Sequence, residues 1–424
     1  MIKILKGNIV FTETPKEFKV YENNYIVIEG GKTKGIFDEL PSEYSNINLI
    51  DYTDKIIIPG MNDLHCHAPQ FRNLGMAMDK ELLPWLNSYT FPEESKYEST
   101  DYAKNMYPKF VKEMWRAGTT RASIFATVHK DSTRELMNLF EKAGLGAYVG
   151  KVNMNMNCPD PLLEDTIKSL KDTEEILKEY SNKNSIVKPI ITPRFVPSCT
   201  SDLLKGLGDL CIKYNVPSQS HLSENLGEIE WVKELEPKSK FYGDAYNQYN
   251  LFGQTPTLMA HCVYSSDEEV ELMKENGVTV VHCPASNFNV GSGISPVRKL
   301  MNNGVKVSLG SDISGGHSLS IFDAIVSAIQ VSKLWWVNSD KEYDFLTLSE
   351  AFYMATKSGG NFFGKVGSFE EGFDFDALVI DDCNLNHDNY SILERLERFI
   401  YIGDDRNIVD RYVQGNLIKE PIFC

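Results

Sequence analysis

The sequence predicts an α/β protein: a (β/α)8 barrel of the TIM type with a small β-sandwich formed from both termini. Three observations predict it. Short β-branched runs alternate with longer amphipathic stretches from residue 56 onward; eight such runs can be counted; and polar side chains collect where the runs end. At 424 residues, 42% of them hydrophobic, the chain is long enough to fill one large barrel and an added layer.

Residues 1–55 read as short alternating strands with turn signals such as EGGKTKG. The barrel runs follow at 56–67, 119–127, 146–154, 187–197, 218–224, 257–263, 278–283 and 305–312. Residues 368–424, with SFEEGFDFDALVIDD and RFIYIGDDRNIVDRYVQGNLI, again have strand-like periodicity and no long helix. The expected division is therefore 1–55 plus 368–424 as the β-sandwich and 56–367 as the barrel. The active site of such a barrel gathers at the C-terminal ends of its strands.

The net charge of -16 works against any partner held by its phosphates, which excludes nucleic acid and anionic membranes. Eight cysteines occur, none at C-x-x-C spacing, as in a thiol-rich cytoplasmic protein. The N-terminal stretch lacks the apolar core and cleavage site of a secretion signal, and no apolar run reaches roughly 18 residues. A soluble cytoplasmic protein acting on a small molecule is expected.

Of the eight histidines, His65, His67, His221, His261 and His282 stand at or near strand ends. In an extended strand residues i and i+2 point the same way, so His65 and His67 can aim two imidazoles at one ion. Cys66 between them should face the other way as a packed thiol. His221 after the fifth run and Asp312 after the eighth add a third nitrogen and an oxygen, leaving room for water on a five-coordinate ion. Zinc suits these donors, and so does iron. Lys188 lies at the wrong end of the fourth run to bridge a second ion, so one metal is expected. Glu224, three residues after His221, could shuttle protons, and His261 could orient the attacking water. His282 fits either a scaffold or an active-site role. His129, His317 and His387 lie in loops with no assigned task.

Residues 65–97, HCHAPQFRNLGMAMDKELLPWLNSYTFPEESKY, resemble the guanine deaminase family of the amidohydrolase superfamily. The resemblance continues in RFVPSC (194–199), SHLSEN (220–225), MAHCVY (259–264), HCPASN (282–287) and LGSDISGG (309–316). It implies hydrolytic deamination of guanine to xanthine and ammonia by a metal-activated hydroxide, a step of guanine catabolism. It also implies one divalent metal on His65, His67, His221 and Asp312, and Glu224 as proton shuttle with His261 and Asp312 assisting. A guanine pocket shaped by Gln70, Arg194 and Phe195 and a homodimer complete the set. Without the resemblance, Gln70 and Arg194 read as a loop hydrogen bond and a surface ion pair, and Phe71, Trp85 and Phe195 as core aromatics. The rival readings are an S-adenosylhomocysteine or adenosine deaminase, an aminotriazine hydrolase, and a catalytically silent barrel scaffold.

Overall fold

The apolar run that begins at Ile56 serves two sheets. In the computed structural model, which describes residues 2–181, 183, 185–386 and 388–423, the run is cut at Gly60. Leu49–Pro59 pairs with terminal strands, and Met61–His67 opens the barrel. A Cβ at Gly60 would sit 2.2 Å from Thr120 Oγ1, so only glycine lets the chain cross between the layers here. Residues 56–59, expected in the barrel, thus belong to the terminal sheet.

The barrel strands are Met61–His67, Thr119–Phe125, Gly146–Gly150, Val187–Pro189, Ser218–Leu222, Thr257–His261, Thr279–His282 and Lys306–Leu309. All neighbouring pairs run parallel, in two sets of four. Backbone hydrogen bonds join the sets on both sides. Gln219 N–H donates to the Ile191 carbonyl at 2.9 Å, and Asp312 N–H to that of His65 at 2.7 Å. Pro189 and Pro193 have no N–H to give the ladder, which shortens the fourth strand; the chain pairs again as Thr192–Pro193 on Val152–Asn153. The predicted runs 146–154 and 187–197 each hold two short pieces for this reason.

Helices between the strands bury one face against them. Ser201–Tyr214 illustrates the logic: Thr200 caps it by accepting from Leu203 N–H, and Leu203, Leu204, Leu207 and Cys211 are buried at helical spacing. Its end is marked by Asn215 in the left-handed conformation.

Both termini build one layer, hydrogen-bonded edge to edge as a seven-stranded sheet. Its order is Asn416–Leu417, Ile408–Val413, Ala377–Ile380, Leu49–Pro59, Ile2–Thr14, Glu17–Glu29, Lys32–Phe37. Leu5, Ile9, Phe11, Ile26, Phe375 and Val379 form the layer's own core. Val10, Ile56, Ile58, Leu378 and Ile380 alternate to the face shared with the barrel core. The buried Arg121 guanidinium on the second barrel strand, 2.6 Å from Asp376, clamps the layers together. The C-terminal segment, expected to lack long helices, contains Ile392–Ile402, with a capping box at Ser391 and Glu394 and with Leu396, Phe399 and Ile400 buried. Among the described residues no helix is long and apolar enough to cross a membrane.

Candidate active site

Strand alternation places His65 and His67 together on the inner face of the first strand, both buried. Cys66 faces outward into the core that contains Ala122 and Ile124, a packed thiol rather than a ligand. His221, at the fifth strand, is held by its Nδ1–H, which donates to the Arg194 carbonyl at 2.5 Å and turns Nε2 inward. Asp312 follows the eighth strand. Its Oδ1 lies 3.1 Å from His65 Nε2 and 3.3 Å from His67 Nε2, while His67 Nε2 and His221 Nε2 are 3.2 Å apart.

These separations are hard to explain without a cation. The His221 ring has spent its proton on a carbonyl, so its Nε2 lone pair faces another imidazole nitrogen, and buried His65 Nε2, though 3.1 Å from Asp312 Oδ1, has no partner in hydrogen-bonding geometry. Donors about 2.0–2.1 Å from a shared ion lie roughly 2.9 Å apart at right angles and roughly 3.4 Å apart at the tetrahedral angle, which brackets the spacing seen. His65, His67 and Asp312 form one candidate metal cluster and His65, His221 and His261 an overlapping one. Burial lowers His65 to about 4, with the nearby Asp312 charge opposing, and pushes His221 well below its ordinary value. Both rings are therefore neutral, the state in which imidazole donates a lone pair. Burial works against the Asp312 charge, but the histidines reverse this and hold its carboxyl well below the usual range.

Glu224 and His261 face this cluster. His261 Nε2 lies 3.6 Å from Glu224 Oε2 and 3.7 Å from Asp312 Oδ2, and its Nδ1 is 2.8 Å from Asn287 Oδ1. Ser292 Oγ donates to Glu224 Oε1 at 2.8 Å. Burial raises Glu224; it opposes a charge on His261, but the Glu224 and Asp312 carboxylates overcome it and raise that ring too. The pair is suited to holding and passing a proton. Ser223, His261, Cys262 and Asp312 have φ of 47°, 72°, 48° and 45°, left-handed values that non-glycine residues avoid. Such strain is concentrated where side chains must be aimed.

A cavity of about 290 Å³ opens on these groups, walled by Leu82, Trp85, Leu86, Phe195, Trp231 and Val290 and by the polar Gln70 and Arg194. Phe195 meets Trp231 edge to face at 6.3 Å. Phe71 instead packs on Phe110 at 6.0 Å and is absent from the wall. Gln70 and Arg194 are both buried, and both bond to the Glu94 carboxylate, at 2.8 and 2.6 Å. His282 is buried outside this cavity and lines a smaller one with Arg298 and Trp335. His129 precedes the helix Lys130–Ala143, and exposed His317 contacts Asn289. His387 lies outside the described residues.

A model of the amidohydrolase family matches residues 56–418, the whole of the barrel and the C-terminal strands of the terminal layer. The chain belongs to this family. Guanine deaminase of Dictyostelium discoideum is 38% identical over 99% of this chain and 98% of its own length. 5'-Deoxyadenosine deaminase of Methanocaldococcus jannaschii is 30% identical, with 93% of this chain and 90% of the relative aligned. The solved guanine deaminase of C. acetobutylicum, which has guanine bound in its active site, is 60% identical, covers 99% of this chain and all of its own, and superposes with a TM-score of 0.98.

Four residues of this amidohydrolase site escaped the sequence reading: Glu94, Glu228, Asn287 and Ser292. Glu228 lines the cavity, accepts from Tyr242 Oη–H at 2.6 Å and receives Glu224 N–H at 3.2 Å. Asn287, in the short helix Pro284–Asn289 after the seventh strand, touches His261, and Ser292, just past that helix, touches Glu224. The asparagine ends the HCPASN motif, whose position after a strand was the available signal.

Proposed function

We propose that this amidohydrolase deaminates guanine to xanthine and ammonia. The observation that carries the reading is the 60% identity, spread over 99% of the chain, to a guanine deaminase solved with guanine bound. The cavity supports it independently. Its wall is largely apolar, with Trp85, Phe195 and Trp231 available to a base, and Gln70 and Arg194 supply the polar edge. Gln70 offers a donor and an acceptor to a purine edge, and Arg194 can donate to the guanine carbonyl oxygen. Phe195 offers a ring face or edge to the base.

We assign His65, His67, His221 and Asp312 as ligands of one divalent ion, with zinc the first choice and iron able to use the same donors. When bound, such an ion supplies hydroxide near neutral pH by lowering the pKa of water to roughly 7. The chain's own groups do the rest. Glu224 takes one proton from the attacking water as oxygen bonds to C2 and the C2=N3 π pair moves onto N3, then delivers it to the exocyclic nitrogen; the C2–N bond breaks to ammonia as the remaining hydroxyl proton passes to N3, leaving the C2 carbonyl of xanthine. His261, fixed through Nδ1 by Asn287, orients the attacking oxygen and stabilises charge that develops beside it. Ser292 keeps the Glu224 carboxylate facing the cluster. The seven described cysteines are free thiols, which suits the reducing cytoplasm.

The test is ammonia release from guanine, adenine, cytosine, guanosine, S-adenosylhomocysteine and an aminotriazine, by metal-replete protein and a chelator-treated control. Metal-dependent turnover confined to guanine is expected. Turnover of another compound in its place overturns the pocket reading.

A further inference from the structure

Glu94 does not line the cavity, yet both polar groups of the proposed purine edge are tied to it. Its Oε1 accepts from Gln70 Nε2–H at 2.8 Å and its Oε2 from Arg194 Nη1–H at 2.6 Å. Glu94, Gln70 and Arg194 are 4%, 2% and 4% exposed, so the bonds among them form where bulk water competes little. The carboxylate sits at the end of Phe91–Glu94, and the Phe91 ring from the same turn lies 5.1 Å beneath the Arg194 guanidinium. One short helix therefore fixes the guanidinium from its edge and from its face.

We propose that Glu94 is a positioning residue that sets the pocket's selectivity by locking the Gln70 amide in one of its two orientations. A glutamine amide can rotate by half a turn and exchange its donor and acceptor ends. Here both ends meet partners that work one way only. Gln70 Oε1 accepts from the Ser314 backbone N–H at 3.1 Å, and a backbone N–H can only donate. Nε2 faces a carboxylate, which can only accept. Rotation would set donor against donor and acceptor against acceptor in a buried place. The amide thus shows a ligand its second N–H and its second lone pair in a fixed order, which fits a base with an adjacent acceptor and donor and opposes one with the order reversed. Arg194 likewise keeps its other N–H groups for the ligand, because its buried charge is already paired.

The inference rests on the guanine reading, and the experiment separates the two. Glu94→Gln keeps the volume but leaves one carbonyl oxygen to serve two donors, and its amide nitrogen opposes one of them. The amidohydrolase with this change is compared with the parent for kcat, KM, metal content and thermal midpoint. The expected result is a rise in KM for guanine of about ten- to a hundredfold, the size of a lost hydrogen bond to a charged group. kcat is expected to stay within about threefold, since no proton-handling group is touched. In a Gln70→Ala background the same change should raise KM less, because one of the two side chains that Glu94 holds is gone. If Glu94→Gln does not fold, Glu94→Asp, which keeps the charge but shortens its reach, gives the same readout. An unchanged KM, a loss confined to kcat, or a full additive loss in the Gln70→Ala background overturns the proposal. A parent protein that does not turn over guanine overturns the functional reading instead.

Discussion

Glu224→Gln separates metal binding from proton transfer. The two side chains have the same shape, and Ser292 Oγ, 2.8 Å from Glu224 Oε1, can donate equally to an amide oxygen, so the new side chain is held in place. The four proposed ligands are untouched, and metal content should match the parent. What is lost is the ability to accept a proton from water and return it to the leaving nitrogen. General acid–base catalysis contributes about 10²–10⁴-fold per role, and Glu224 serves in both transfers, so kcat should fall at the upper end, about 10³–10⁴-fold. That loss corresponds to about 4–5.5 kcal/mol of barrier. The assay is ammonia release at saturating guanine, with bound metal measured on the same preparation. A Gln variant with full metal and a kcat within about tenfold of the parent would refute the shuttle assignment.

Two further predictions follow from neighbouring residues. Ser292→Ala removes the only side-chain hydroxyl bonded to Glu224 among the described residues; kcat should fall about tenfold with KM little changed, whereas a selective rise in KM would contradict the role. Glu228, raised to about 7 by burial first and by the Glu224 charge second, has a folded-state pKa above its ordinary 4.5. Its contribution to stability is thus present below about 4.5 and is lost as pH rises through about 7. Glu228→Gln should therefore gain in urea midpoint relative to the parent across that window, and a pH-independent difference would refute it.

Much of the fold was legible because short extended runs alternate with amphipathic stretches, and the first, fifth, sixth and eighth barrel strands have site residues at or just past their ends, a pattern that survives without knowledge of the packing. The cut at Gly60 was not legible: Ile56–Ile58 and Met61–Leu64 are equally buried parts of one extended run, and only the Thr120 side chain pressed against Gly60 reveals that they serve different sheets. The helix Ile392–Ile402 carried its signal in Ser391 and Glu394, a capping box overlooked in favour of the apolar alternation beside it. Within the site, the H-x-H spacing made His65 and His67 readable through strand geometry. Glu94 and Ser292 were not readable in that way. Each acts across a long sequence separation, 100 residues from Glu94 to Arg194 and 68 from Glu224 to Ser292, and neither stands in a motif that names its partner.

The central claim, that one ion held by three histidines and an aspartate serves guanine hydrolysis, is tested most directly by stripping the protein with a chelator and titrating zinc back. Bound metal and xanthine formation are followed together. The account predicts turnover that vanishes in the stripped protein and returns in proportion to occupancy, reaching its maximum at one ion per chain. Guanine turnover that persists without metal, or that fails to return when the ion does, would contradict it.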